Sequence, residues 1–149
     1  MNTKNVGMYI HIPFCKHKCK YCDFKSYAGK ENKIKEYIKW LKYEIAEVGI
    51  GNRMDFENGQ DKLAIIDTIY IGGGTPSLIE SSYIKEILQT VRANFTVKDD
   101  SEITIEINPG TVDENKLRDY LESGINRFSI GLQSANNDLI KSIGRIHTY

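Results

Sequence analysis

Four short apolar runs, each followed by a segment with helical periodicity, constrain the fold of this chain more than any other feature. The runs begin near Met8, Leu63, Ser101 and Arg127. A strand followed by a helix, repeated in succession, predicts a parallel sheet with helices packed outside it. The sequence therefore predicts an α/β fold of Rossmann or barrel type, in which the ligand site lies at the carboxyl ends of the strands.

The predicted element boundaries follow from hydrophobic spacing and from turn residues. Strands are expected over 8–12, 63–71, 101–108 and 127–131, and helices over 31–48, 81–95, 113–123 and 137–143. Ser81 or Ser82 is expected to cap the second helix, and Thr111 or Asp113 the third. Because glycines and polar residues interrupt the pattern after Val48, residues 49–62 are predicted to form a long surface connection.

Cys15, Cys19 and Cys22 lie in the loop after the first predicted strand, with the spacing C-x3-C-x2-C. Flanking lysines place this loop in water and favour thiolates. Three cysteines do not fit a set of paired disulfides, and structural zinc takes four ligands as two separated pairs. Three thiolates can hold a [4Fe–4S] cluster and leave one iron open for a small molecule. A zinc site completed by His17 or His11 is the alternative.

The other predicted strands also end in residues suited to ligand binding. Gly72-Gly-Gly-Thr-Pro76 follows the second strand, Glu106 and Asn108 close the third, and Gln133 follows the fourth. Glycines let a backbone approach a ligand closely, so this turn is a candidate binding element. A purely structural turn or a phosphate-binding loop would look similar, although the Lys-Ser/Thr of a P-loop is absent.

Composition narrows the class of partner. The chain of 149 residues has one domain's length and carries 20 basic and 20 acidic residues, so its formal net charge is zero. This balance does not favour binding to nucleic acid or to an anionic membrane. No apolar run is long enough to span a bilayer, and the first residues lack the apolar region of a signal peptide. We therefore expect a cytoplasmic protein, where cysteines stay reduced.

The cysteine spacing, with the aromatic Tyr21 directly before the third cysteine, resembles the signature of the radical S-adenosylmethionine (SAM) superfamily. The segments Tyr9-Ile-His-Ile-Pro-Phe-Cys15 and Gly72-Gly-Gly-Thr-Pro-Ser77 further resemble one branch, the oxygen-independent coproporphyrinogen III oxidases and their heme-chaperone relatives. The resemblance implies a partial (β/α)6 barrel with about four β/α units present. It also implies that residues 1–149 are the N-terminal portion of a radical SAM core domain, with the rest of the barrel and a C-terminal domain absent.

The resemblance implies cofactors and site residues as well. Cys15, Cys19 and Cys22 would hold a [4Fe–4S] cluster, whose reduced form cleaves SAM to a 5′-deoxyadenosyl radical in this family. The residues expected to contact SAM are Tyr9, Tyr21, Gly73, Gly74, Thr75, Glu106, Gln133 and Arg145, the last two through a second SAM molecule in the oxidase branch. Because a branched side chain at Gly74 would intrude on SAM, Gly74→Val is expected to weaken SAM binding and leave the cluster intact.

One position distinguishes the two branches. The oxidase motif carries a further cysteine two residues after the third cluster ligand, where this chain has Phe24, preceded by Asp23. Cys-Asp-Phe resembles the heme-chaperone branch. We therefore expect a protein that binds and delivers heme, with a heme-receiving protein and an electron donor as partners. The alternatives are an enzyme that oxidatively decarboxylates coproporphyrinogen III to protoporphyrinogen IX and, more remotely, a structural zinc module.

Overall fold

A computed structural model describes residues 3–59 and 63–149 of the chain, and in this part the main element is a four-stranded parallel sheet. In chain order the elements are β1 (Thr3–Ile12), β2 (Phe14–Cys15), β3 (Tyr27–Ala28), α1 (Ile34–Glu57), β4 (Leu63–Gly73), α2 (Ser81–Asn94), β5 (Thr96–Ile107), α3 (Glu114–Glu122), β6 (Arg127–Ile130) and α4 (Asn137–Ser142). The main sheet has the order β1-β4-β5-β6, and β2 pairs with β3 in a second small sheet. The predicted α/β fold with four successive β/α units is confirmed.

The two faces of the main sheet differ in chemistry. One face carries isoleucines that are almost fully buried, among them Ile12, Ile71 and Ile105, each 0% exposed. They belong to the same core cluster as the apolar stripe of α2, which the sequence predicted (Ile84, Ile87, Leu88 and Val91). Each such side chain contributes about 1.5–3 kcal/mol when fully buried. Successive residues of a strand alternate between faces, so the opposite face carries the polar and aromatic side chains.

Helix α1 is longer than the sequence predicted. It continues through Gly49 and Gly51 to Glu57, so the prediction of a surface connection is wrong over residues 49–57, while residues 60–62 lie outside the described part. Contacts distant in sequence offset the helical cost of the glycines. Gly49 packs against Asn94 at the end of α2, and the Arg53 guanidinium donates to the Asn94 carbonyl at 2.9 Å.

Strand pairing also extends the strands beyond their predicted limits. Because β1 pairs with β4 from the partners Thr3 and Leu63 onward, it begins at Thr3 rather than near Met8. Strand β5 begins at Thr96 rather than Ser101, since Thr96 pairs with Ile65 of β4. These ends are fixed by neighbouring strands rather than by local sequence.

The predicted cap of α3 is confirmed, whereas the predicted cap of α2 is wrong. Asp113, one of the two candidates predicted, caps α3. Its carboxylate accepts the Lys116 backbone N–H at 2.8 Å. Neither predicted serine caps α2, because the N-cap position is Glu80 and makes no side-chain cap bond. The Ser81 hydroxyl instead donates to the Asp119 carboxylate at 2.5 Å and links α2 to α3.

None of the helices in the described residues is both long enough and apolar enough to cross a membrane.

The extension of α1 can be tested with two glycines of the same helix. A Cβ at Gly49 would lie 2.7 Å from the Asn94 Cβ and 2.9 Å from its carbonyl oxygen, whereas a Cβ at Gly51 meets nothing within 4 Å. Gly49→Ala should therefore lower the free energy of unfolding by about 1–3 kcal/mol. Gly51→Ala should raise it by about 0.5–1 kcal/mol, because alanine is the better helix former. Urea denaturation measures both, and equal stabilisation by the two variants would show that α1 does not pack on Asn94.

Candidate cofactor site

A cavity of about 340 Å³ opens where the main strands end, beside the cysteine loop. Its volume lies within the range of about 300–1,000 Å³ that is typical of small-molecule sites. Every predicted site residue except Tyr9 lines it, namely Cys15, Cys19, Cys22, Tyr21, Gly73, Gly74, Thr75, Glu106, Gln133 and Arg145. The fold therefore brings together residues from the ends of four strands and, with Arg145, from the segment after α4.

The cysteine loop is closed by backbone and lysine hydrogen bonds. Strand β2, which contains Cys15, pairs with β3, and the Tyr27 N–H donates to the Pro13 carbonyl at 2.7 Å. Within the loop the Cys22 N–H donates to the Cys19 carbonyl at 3.1 Å. The Lys18 ammonium donates to the carbonyl of Phe24 at 2.6 Å and to the hydroxyl of Ser26 at 3.0 Å. All three cysteines are free thiols, with Cys15 buried and the other two half-buried.

The glycine turn after β4 packs directly on this loop. The Gly74 N–H donates to the Ile12 carbonyl at 2.9 Å, and the Thr75 hydroxyl lies 3.5 Å from the Cys15 Sγ atom. A Cβ at Gly74 would stand 2.9 Å from that sulfur and 2.8 Å from the Phe14 carbonyl oxygen. This corrects the expectation that a larger residue at Gly74 would leave a cluster intact, because the added atoms would press on a cluster cysteine.

Glu106 is fixed at the cavity by two donors. The Tyr70 hydroxyl donates to one carboxylate oxygen at 2.8 Å, and the Gly73 N–H donates to the other at 3.1 Å. Burial and the bond to Glu106 raise the pKa of the Tyr70 phenol, so it stays protonated and donating at neutral pH. Each carboxylate oxygen keeps a further lone pair with which to accept a ligand N–H.

Tyr9 lies beside the cavity rather than in its lining. Its ring stacks on Tyr70 with a centroid distance of 6.2 Å, and its hydroxyl lies 2.9 Å from the Nδ1 atom of His11. The Nε2 atom of His11 lies 2.8 Å from the Lys25 carbonyl, which can only accept. A neutral His11 thus carries its proton on Nε2 and accepts the Tyr9 hydroxyl at Nδ1. His11 ties β1 to the cysteine loop.

Gln133 and Arg145 meet at the far wall of the cavity. Gln133 has a φ of +69°, a left-handed conformation that is uncommon for a residue other than glycine and occurs often at functional sites. The Arg145 guanidinium donates to the Gly131 carbonyl, while its buried Nε atom has no hydrogen-bond partner among the described residues. A ligand acceptor would satisfy this buried donor.

A partly buried polar network beside the cavity was not predicted from sequence. The Ser77 hydroxyl lies 2.6 Å from that of Thr111 and accepts the Asn108 N–H at 3.0 Å. The Lys116 ammonium donates to the Ser77 carbonyl at 2.7 Å and to the Thr111 carbonyl at 3.2 Å. Burial lowers the pKa of Lys116. These bonds fix the glycine turn against the end of β5.

The three cysteines do not form a single-ion site. In residues 3–59 and 63–149, no three histidine, cysteine, aspartate or glutamate side chains are grouped closely enough to hold one metal ion. A zinc module needs such a group, so the geometry gives the zinc alternative no support. A four-iron cluster instead binds each cysteine through a different iron atom, and three free thiols around one cavity fit that donor set.

The radical SAM superfamily sequence model matches residues 9–149. The chain belongs to the radical SAM superfamily. Membership implies SAM and a [4Fe–4S] cluster as cofactors, in agreement with the expectation from the cysteine spacing.

Curated relatives of this radical SAM chain include proteins named heme chaperone HemW. The chain is 41% identical to the one from Escherichia coli K12 over 143 residues, which cover 95% of this chain and 35% of the relative. It is 36% identical to the one from Bacillus subtilis over 93% of this chain and 35% of that protein. A zebrafish relative named radical S-adenosyl methionine domain-containing protein 1, mitochondrial, is 33% identical over 95% of this chain and 30% of its own length. The chain therefore spans about a third of the relatives that it matches.

Among solved structures, the coproporphyrinogen III oxidase HemN from Escherichia coli has the same fold over 99% of this radical SAM chain. The TM-score is 0.83, the identity is 24%, and the match covers 32% of the HemN chain. The likeness confirms the predicted partial radical SAM barrel.

Substitutions at two nearby glycines of the radical SAM chain should distinguish a loss of cluster iron from a loss of SAM affinity. Gly74→Ala should lose most of its iron after anaerobic reconstitution, because its Cβ would press on Cys15 and on backbone. A Cβ at Gly72 would instead meet the Tyr70 ring at 2.8 Å and the Glu106 carboxylate at 3.2 Å. Gly72→Ala should therefore keep its iron and bind SAM about tenfold more weakly, which corresponds to about 1.4 kcal/mol. Iron analysis and SAM titration measure both, and full iron retention by Gly74→Ala would contradict the packing described here.

Proposed function

We propose that this chain forms the cofactor-binding part of a cytoplasmic heme chaperone that carries a [4Fe–4S] cluster and SAM. The observation that carries the proposal is the 41% identity over 95% of the chain to a relative named heme chaperone HemW. The position two residues after Cys22 supports the same branch, since Phe24 stands where the resemblance places a further cysteine in the oxidases. Residues 1–149 would be the N-terminal portion of the radical SAM domain.

In this proposal each cavity residue has a role that its contacts support. Cys15, Cys19 and Cys22 would hold the cluster, and the cluster with SAM would supply one-electron chemistry. The carboxylate of Glu106, held by Tyr70 and Gly73, would accept hydrogen bonds from the SAM amino group.

The other wall of the cavity would bind the anionic part of the ligand. The Arg145 Nε–H, which has no hydrogen-bond partner within residues 3–59 and 63–149, would donate to a SAM carboxylate. Gln133 would contact the same region. The backbone of Gly73 and Gly74 would lie along SAM, and Thr75 would hold Cys15 in place. Tyr21, in the cysteine loop, would pack on the nucleoside, and Tyr9 would support the methionine side through His11 and Tyr70.

The cluster assignment has a direct test. Reconstitution of the protein with iron and sulfide should give one [4Fe–4S] cluster per chain. Each of Cys15→Ala, Cys19→Ala and Cys22→Ala should abolish it, because the chain has no fourth cysteine to replace a lost cluster ligand. His17→Ala is the matched control in the same loop and should retain it. Iron, sulfide and zinc analyses measure the outcome, and tight stoichiometric zinc binding without a stable cluster would favour the zinc module.

A second experiment separates the chaperone from the oxidase. Hemin titration should give a saturable change in the Soret band, while coproporphyrinogen III supplied with SAM and a reductant should not be decarboxylated. Both assays are run on one reconstituted preparation, so that a missing cluster cannot explain a difference between them. Turnover to protoporphyrinogen IX without hemin binding would reverse the assignment in favour of the oxidase.

A further inference from the structure

The glycine turn that lines the cavity is attached to the rest of the fold at both of its ends. At its first end, the Gly74 N–H continues the pairing of β1 with β4 by donating to the Ile12 carbonyl at 2.9 Å. Its other end, at Ser77, lies beyond the last residue of β4, Gly73, and is 0% exposed. Contacts other than strand pairing therefore hold this second end in place.

A ring of hydrogen bonds joins Ser77 to the end of β5. The Asn108 N–H donates to the Ser77 hydroxyl at 3.0 Å, and the Thr111 hydroxyl donates to the Asn108 carbonyl at 2.6 Å. Because the single proton of the Thr111 hydroxyl is used there, the Ser77 hydroxyl donates its own proton to the Thr111 oxygen, 2.6 Å away. Asn108 also lines the cavity, so a displacement of Ser77 would reach the cavity wall.

Lys116 adds a charged group to this ring. From α3 its ammonium donates to the Ser77 carbonyl at 2.7 Å and to the Thr111 carbonyl at 3.2 Å. Glu80 and Asp113 are the carboxylates whose charges act on it, but no carboxylate in the described part of the chain lies within 4.0 Å of the ammonium. The charge of Lys116 is thus directed at the two carbonyls, and such charge-assisted bonds are stronger than those between neutral groups.

We propose that Lys116 is a positioning residue for SAM. Its ammonium fixes the second end of the glycine turn against the end of β5, and so it sets the separation between the backbone of the turn and the carboxylate of Glu106. The inference rests on the proposed function, in which the turn and Glu106 both contact SAM. Lys116 is not among the residues that line the cavity, so it acts through the turn rather than on the ligand.

The test compares SAM binding by reconstituted variants. Lys116→Met keeps an apolar stem and removes the ammonium, and it should bind SAM about tenfold more weakly. It should keep its iron, because the first attachment of the turn is unchanged. Lys116→Arg keeps a positive donor that can reach two carbonyls, and it should bind SAM within about threefold of the unaltered protein. Arg118→Met is the matched control, since Arg118 is exposed on the same helix and pairs with Glu114.

A pH series separates positioning from a loss of stability. Burial lowers the pKa of Lys116, so over that pH range the folded chain binds fewer protons at this residue than the unfolded chain does. Deprotonation of Lys116 therefore does not destabilise the fold. The tenfold difference in SAM affinity between the unaltered protein and Lys116→Met should shrink as the pH rises through this pKa, because both proteins then lack the charge. Titration of SAM itself affects both proteins equally.

Three results would overturn the proposal. They are equal SAM affinity in the unaltered protein and Lys116→Met, equal weakening by Lys116→Met and Arg118→Met, and a difference that persists unchanged at alkaline pH. Circular dichroism checks the fold, and Lys116→Gln replaces Lys116→Met if the latter does not fold, because glutamine also lacks the charge. Absence of SAM binding by the unaltered protein with an intact cluster would contradict the proposed function, and the role of Lys116 with it.

Discussion

The close packing of the Gly74 backbone on Cys15 is the contact on which the site depends. Parallel pairing of β1 with β4 runs to the partners Ile12 and Gly73, and the next residue continues it by donating its N–H to the Ile12 carbonyl. A side chain at this point would separate the turn from the cysteine loop. Because the contact is made by backbone and sulfur, the cluster loop and the ligand-binding turn form one unit rather than two neighbouring loops.

The alternation of side chains across the sheet explains how one set of strands serves both stability and binding. Isoleucines on one face belong to the core cluster that includes the apolar stripe of α2. The other face presents Tyr9, His11, Tyr70 and Glu106, which hydrogen-bond and stack in a connected series that ends at the cavity. Glu106 and its neighbours therefore lie on strand positions, which are held more precisely than loop positions, beside the loop that carries the cysteines.

The parts of this structure that follow from periodicity and topology could be predicted, and the parts that depend on distant contacts could not. Parallel strands place their carboxyl ends at one edge, so the meeting of Cys15, Gly74, Glu106 and Gln133 at one cavity was predictable. The length of α1 was not, because Gly49 looks like a helix end until its contact with Asn94 is known. His11 alternates with Ile10 and Ile12, and this pattern could have placed it on the site face.

The proposed site requires an iron that the three cysteines leave open and strand-end turns that bring SAM to it. The most direct test is the electron paramagnetic resonance spectrum of the reduced, reconstituted protein before and after addition of SAM. A ligand that binds the open iron changes the electronic environment of the cluster, so the spectrum is expected to change. An unchanged spectrum, in protein shown to be folded and to contain the reduced cluster, would contradict it.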